Sequence, residues 1–267
     1  MSQSIAVAGP RQRPEAPGAA SQAGKAYLYA IVPAEPERRF EGLGIDDAGL
    51  HTVTEGRVSA VVSGLVQPKL RPERRHIAAH QRVLKQVMAE TSLLPMSFGI
   101  VAESPEAVRR ILARNQAALL EGLRRVTGKI EMGLRVVWDV PNIFEYFVNT
   151  HSELRAVRDR LFGGAREPTQ EEKIEVGRMF DRQLQEDRDS HAERVEAVLA
   201  RYCAEIKRTK CRSEREVMNL ACLIRKADQE AFEGSVFGVA QLFDNSYAFD
   251  YSGPWPPYNF AEVDLKV

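Results

Sequence analysis

The chain contains few cysteines, and their arrangement argues against two common kinds of site. Cys203, Cys211 and Cys222 are an odd number in 267 residues and form no C-x-x-C pair. A disulfide framework needs paired cysteines, and a structural zinc site needs closely spaced cysteine or histidine ligands. Reduced thiols are typical of the cytosol, so we expect a cytoplasmic protein.

An excess of charge of one sign and a long apolar run are also missing. Lys and Arg number 37, as do Asp and Glu, so the chain lacks the basic excess that usually neutralises nucleic-acid phosphates. It has no run of about 18 apolar residues, the length that spans a membrane. Residues 5–8 are too short for the apolar part of a secretory signal. We therefore expect neither nucleic acid nor membrane as a partner.

What the chain does have is the composition of a globular protein, with 44% hydrophobic and 28% charged residues. Residues 1–24 are the exception, because they are rich in Ala, Gly, Pro, Gln and Ser. Such a segment buries too little apolar surface to offset the entropy lost on ordering. The sequence therefore predicts a disordered tail over 1–24 and an ordered chain from Lys25.

Residues 25–139 show alternating strand and helix patterns. The predicted elements are a strand at 27–32, a hairpin of strands 50–54 and 57–63 around Gly56, a helix over 72–90, a strand over 93–101, a helix from the Ser104 N-cap to the residue before Gly128, and a strand at 130–138. This order favours an α+β domain with helices on one face of a sheet, and a ferredoxin-like sandwich is the natural candidate.

Residues 140–267 predict a second α+β domain with a long helical hairpin of coiled-coil character. The predicted elements are a helix at 144–162, a long charged helix from about 169 to 207, a strand at 218–224, a helix at 228–242 and a strand at 247–251. Asp187 and His191 interrupt the apolar stripe of the long helix. We therefore expect its two ends to be packed and its centre to be exposed or kinked.

The sequence contains few motifs typical of catalytic or metal-binding sites. His76 and His80 are four residues apart on a predicted helix, so both rings point the same way and could hold a metal. The zincin pattern needs Glu directly after the first His, where this chain has Ile77. Capping or core hydrogen bonding is the favoured interpretation of both rings. Since no nucleophile elbow or phosphate-binding loop occurs either, we expect no enzyme and no cofactor.

Two segments are candidate partner surfaces. Trp255, Pro256, Pro257 and Tyr258 form a stiff aromatic stretch that loses little entropy on binding. An internal lid over the core is an equally weighted interpretation of this stretch. On the long helix, Arg182, Arg188 and Arg194 alternate with Glu186, Asp187 and Asp189, a pattern typical of an ion-paired solvent face. Arg182 and Arg188 are the charged candidates for partner binding.

Four stretches together resemble the gas vesicle protein L/F family. They are YLYAIV at 27–32, LPMSFGIV at 94–101, GKIEMGL at 128–134 with VVWD at 136–139, and GPWPPYNF at 253–260. Their order and spacing match over roughly residues 25–261. Ser97 and Ile100 stand where the family usually has Arg and Thr, while Pro95, Phe98 and Gly99 keep the frame of the motif.

The resemblance implies a protein of two domains, the first ferredoxin-like and the second α+β with long helices. It also implies a non-enzymatic role in forming gas vesicles, the hollow protein shells that give cells buoyancy. The implied partners are the major shell protein and other minor vesicle proteins, and the implied location is the gas vesicle. The alternative is an enzyme or a haem- or metal-binding protein of ferredoxin-like fold that uses His76 or His80.

Overall fold

The computed structural model describes residues 24–65, 70–163 and 166–262. The strands are β1 (Lys25–Pro33), β2 (Leu50–Glu55), β3 (Val58–Leu65), β4 (Leu94–Pro95), β5 (Val101–Ala102), β6 (Lys129–Trp138), β7 (Cys203–Arg208), β8 (Glu216–Arg225) and β9 (Tyr247–Trp255). The helices are α1 (Arg74–Glu90), α2 (Pro105–Val126), α3 (Ile143–Thr150), α4 (Ser152–Phe162), α5 (Gln170–Leu199) and α6 (Gln229–Ala240). Apart from Gly24, the predicted disordered tail lies outside the described residues.

The first sheet has the strand order β2-β3-β1-β4, with β5 also paired to β1, and its pairings are antiparallel. Gly56 turns the chain between β2 and β3 at φ 57°, which confirms the predicted hairpin. The predicted strand over 93–101 is wrong in extent, because only β4 and β5 pair with β1. Between them the chain bends at Gly99, at φ 93°, and stays bonded to β1, since the Leu28 N–H donates to the Ile100 carbonyl at 3.0 Å.

The second sheet has the order β7-β8-β6-β9, and its pairings are also antiparallel. Along the chain, β6, the helices α3 to α5, β7, β8, α6 and β9 follow the β-α-β-β-α-β order of a ferredoxin-like unit. This corrects the expectation that residues 25–139 hold that unit. The reason is that β6 leaves the first sheet and pairs with β8 and β9. The predicted α+β class is confirmed.

Helix α2 lies between the two sheets. Its apolar side chains, including Val108, Leu112 and Leu119, share one core with Leu28 of the first sheet and Leu223 of the second. The opposite face of the first sheet packs on α1, and the opposite face of the second packs on helices α3 to α6. The chain is therefore layered, and the core around α2 includes side chains of both sheets.

Helix ends follow local sequence chemistry. The Ser104 hydroxyl accepts a hydrogen bond from the Ala107 N–H at 3.1 Å, which confirms the predicted N-cap of α2. Thr169 and Glu172 form a reciprocal capping box at the start of α5. The predicted helix 144–162 is two helices, because the backbone of His151 is extended and separates α3 from α4.

The second half contains one further correction. The long helix was expected to reach residue 207, but α5 ends at Leu199, and Cys203–Arg208 form strand β7, which pairs with β8. The strand predicted at 218–224 and the helix predicted at 228–242 are confirmed as β8 and α6. The strand predicted at 247–251 continues as β9 to Trp255.

Candidate interaction surface

The proline-rich segment that begins at the last residue of β9 faces inward apart from its tryptophan. Trp255 is 37% exposed, whereas Pro256 and Pro257 are buried and Tyr258 is half-buried. The Trp255 indole N–H donates to the Ser252 hydroxyl at 3.2 Å. Of the four candidate partner residues in this segment, only Trp255 offers its ring to solvent, and the other three pack inward, as the alternative interpretation of an internal lid expects.

The Trp255 ring has a cation beside it. The Lys85 ammonium of α1 lies 5.0 Å from the ring centroid, within the range of a cation–π contact. Tyr258 contacts the same helix, since the Gln81 amide donates to its hydroxyl at 3.3 Å. The segment thus joins the second sheet to α1, which covers the first sheet.

Arg182 and Arg188 of α5 have different surroundings. The Arg182 side chain is exposed. The Arg188 guanidinium instead donates to the backbone carbonyls of Glu216 and Ser213, each at 2.9 Å, and its Cζ lies 6.0 Å from the centroid of the Trp138 ring. Arg188 therefore holds the loop before β8 onto the helix, and Arg182 remains the accessible member of the pair.

The centre of α5 is packed through polar contacts, which corrects the expectation of an exposed or kinked centre. The Asp187 carboxylate lies 3.3 Å from Nε2 of His151 at the junction of α3 and α4. Nε2 of His191 lies 3.0 Å from the hydroxyl of Tyr247 in β9, and the His191 ring also contacts Phe243. Burial lowers the pKa of the His191 imidazole. These two polar residues face neighbours in the fold and are not a solvent-exposed gap in the stripe.

His76 and His80 are both buried on α1, but each ring has its own partners. The ring nitrogens of His76 lie 2.9 Å from the Arg71 carbonyl oxygen and 3.0 Å from the Asp46 carboxylate. His80 lies 2.9 Å from the Tyr27 hydroxyl through Nδ1 and 3.2 Å from a backbone carbonyl through Nε2. Burial lowers the pKa of the His80 imidazole. Both rings thus serve core hydrogen bonding.

An exposed aromatic pair was missed in the sequence. Phe237 of α6 is 64% exposed and Tyr251 of β9 is 38% exposed, and their ring centroids lie 6.5 Å apart, edge to face. Helix α6 buries Phe232, Val236 and Val239, so Phe237 is an apolar residue outside the buried stripe. The sequence signal for this pair was the position of Phe237 on the predicted helix. An apolar side chain outside the buried stripe is not explained by packing in the core.

Metal and membrane sites are not apparent in the part of the chain that the structure describes. Within it, no three or more His, Cys, Asp and Glu side chains cluster in a way that could hold a metal ion. Its helices also lack any segment with the length and apolarity needed to cross a membrane.

Sequence comparison finds relatives over most of the chain. The family described as "Gas vesicle synthesis protein GvpL/GvpF" matches residues 25–262. Gas vesicle protein F of a Streptomyces species is 27% identical over 242 residues, which are 88% of this chain and 99% of that protein. Gas vesicle protein F of Dolichospermum flosaquae is 25% identical over 241 residues, which are 89% of this chain and 98% of that protein.

Comparison with solved structures finds the same family. The crystal structure of the gas vesicle protein GvpF from Anabaena superposes with a TM-score of 0.80 at 25% identity, covering 90% of this chain and 99% of that one. GvpF from Microcystis aeruginosa has the same fold, with a TM-score of 0.77 at 23% identity. The chain therefore belongs to the gas vesicle synthesis protein GvpL/GvpF family and has a role in gas vesicle formation.

Proposed function

We propose that this protein is an interaction protein of gas vesicle formation, which binds the major shell protein and other minor vesicle proteins at the vesicle and catalyses no reaction. The exposed pair Phe237–Tyr251 carries this proposal. Aromatic side chains supply much of the binding energy at protein interfaces, because they bury a large area at low entropic cost. The exposed ring of Trp255 offers a second anchor of the same kind.

A haem- or metal-binding function at His76 or His80 has less support. Both nitrogens of each ring already lie within hydrogen-bond distance of a protein group, so a ligand would have to displace these bonds. Displacing them would leave buried polar groups such as the Tyr27 hydroxyl without a partner, which costs about 1–3 kcal/mol for each group.

The experiment is a pull-down of the purified major shell protein by the immobilised full chain. Phe237→Ser removes the more exposed ring of the pair, and Trp255→Ala removes the second anchor. Ile77→Ser is the matched control, because Ile77 is 42% exposed on α1 and lies outside the proposed surface. We expect Phe237→Ser to weaken binding about tenfold or more, as an interface anchor does, and Ile77→Ser to leave it unchanged.

Circular dichroism of each variant checks that the fold is intact. Equal capture of the shell protein by the wild type, Phe237→Ser and Trp255→Ala would exclude these rings as the binding surface. No capture by the wild type, at micromolar concentrations of both proteins, would contradict the proposed function itself.

A further inference from the structure

The outer strand of the first sheet, β2, has an edge that no other strand covers in the described parts of the chain. The Leu50 N–H points away from β3, since it donates to the Gly42 carbonyl at 3.1 Å. Backbone groups alternate in direction along an antiparallel strand. Thr52 and Thr54 therefore also direct their N–H and C=O groups away from β3, and no described residue bonds these four groups.

A groove of about 1200 Å³ runs along this edge. Its lining includes Thr52 and Thr54 on one face of β2 and His51 on the other, so the groove surrounds the edge itself. The groove is also lined by residues 33–36 and 39–42, which lie between β1 and β2 along the chain, and by Arg109 and Leu120 of α2. We call this feature the β2 groove.

The shape of the β2 groove selects an extended polypeptide. An unpaired strand edge with free backbone groups binds another strand by main-chain hydrogen bonds. The six residues of β2 span about 20 Å at roughly 3.4 Å per residue.

The charges of the β2 groove favour an acidic strand. Within the described part of the chain, the Arg39 guanidinium donates only to backbone carbonyls and exposed Arg57 has no ion-pair partner. Of the lining carboxylates, Glu35 is paired with Arg38 at 2.7 Å, which leaves Glu41. The third lining arginine, Arg109, is paired with Glu106 at 3.3 Å. The two remaining arginines against one glutamate attract carboxylates of an incoming strand.

We infer that the β2 groove binds an extended, acidic segment of another vesicle protein, which adds as a strand to the edge of β2. The inference deepens the proposed function, on which it rests, by assigning one partner contact to the first sheet. It is distinct from the aromatic surface at Phe237 and Tyr251, which lies at the second sheet.

The test uses a fluorescent twelve-residue peptide of alternating Glu and Val with the full chain, and the matching Lys–Val peptide as control. Thr52→Pro removes the outward N–H, and Thr52→Val keeps it. Because that N–H takes no part in pairing with β3, proline fits at this edge position. We expect Glu–Val to bind at least tenfold tighter than Lys–Val. Thr52→Pro should lose at least tenfold in affinity and Thr52→Val less than twofold.

Hydrogen exchange supplies a readout that needs no variant. Bound peptide should slow exchange at the Thr52 and Thr54 amides and leave that at His51 and Val53, which bond β3, unchanged. Equal binding by Thr52→Pro and wild type, or no binding of the Glu–Val peptide, overturns the inference. If Thr52→Pro does not fold, Arg57→Glu takes its place and should lose at least fivefold in affinity for the Glu–Val peptide; unchanged affinity overturns the inference.

Two other outcomes separate the sources of failure. In the first, the Thr52 and Thr54 amides exchange slowly in the free chain and fast when residues 1–23 are deleted. This result would show that the chain covers its own edge, and it would overturn the inference. Peptide binding that fails while the wild type still captures the shell protein overturns the groove alone. The proposed function stands in that case.

Discussion

The buried carboxylate of Glu131 in β6 accepts two hydrogen bonds from a single residue, Asn259. The backbone N–H of Asn259 donates at 2.8 Å and its side-chain Nδ2 at 2.6 Å. The Lys207 ammonium of β7 donates to the Asn259 carbonyl at 2.6 Å. Asn259 thus fixes the C-terminal segment to two strands of the second sheet and keeps Phe260, which is 1% exposed, in the core that α2 shares.

Asn259→Ala should lower the free energy of unfolding by about 1–3 kcal/mol, because it leaves a buried carboxylate oxygen without its side-chain donor. Asn245→Ala is the matched control, since Asn245 is exposed, and should stay within about 0.5 kcal/mol of the wild type. Urea unfolding monitored by circular dichroism measures both. Equal stability of the two variants would contradict the role of Asn259 as an anchor.

The same carboxylate predicts a pH dependence. Burial raises the pKa of Glu131 above its ordinary value and outweighs the hydrogen bonds that lower it. An acid with a raised pKa in the folded state stabilises the fold below its unfolded pKa and loses this contribution as pH rises. The wild type should therefore gain stability relative to Glu131→Gln as pH falls from 7 to about 4. A difference in unfolding free energy that stays constant over this range would refute the assignment.

His191 predicts the opposite slope. Burial lowers the pKa of its imidazole, so its contribution to stability is present above the unfolded pKa of about 6.5 and is lost as pH falls through the folded value. As pH falls from 7 to 5, the free energy of unfolding of the wild type should fall relative to that of His191→Gln. Denaturant unfolding at four pH values measures the unfolding free energy of the wild type minus that of His191→Gln. If this difference increases as pH falls, the burial of this ring is contradicted.

Replacing Arg188 should destabilise the fold more than replacing Arg182. Arg188→Ala removes charge-assisted bonds to the carbonyls of Ser213 and Glu216 and should cost about 1.5–3 kcal/mol. Arg182→Ala changes an exposed side chain and should cost less than about 0.5 kcal/mol. Thermal and urea unfolding measure both. If the two variants melt alike, Arg188 does not hold the loop before β8.

Elements with a complete local signal were predictable from the sequence. The apolar, aromatic run of β1, the Gly56 turn of the first hairpin and the Ser104-Pro105 start of α2 each combine composition with a turn or cap residue. Their side chains specify the element before any tertiary contact forms. The α+β class followed from these elements.

Elements that depend on distant partners were not predictable. Residues 203–208 read CAEIKR, a composition that suits a helix, and they become β7 only through pairing with β8. The ferredoxin-like order was placed in the wrong unit because the partners of β6 are about 80 to 120 residues away along the chain. The tertiary bonds of Arg188 and the packing of His191 likewise have no local pattern, and so the candidate site was only partly anticipated.

In the proposed function, exposed rings on this protein bind other vesicle proteins. The most direct measurement is the number of vesicles, counted by electron microscopy, in cells that lack the gene and carry either the wild type or Phe237→Ser at equal protein level. We expect full rescue by the wild type and by Ile77→Ser, and few or malformed vesicles with Phe237→Ser. Normal vesicles with Phe237→Ser and Trp255→Ala combined would contradict the claim.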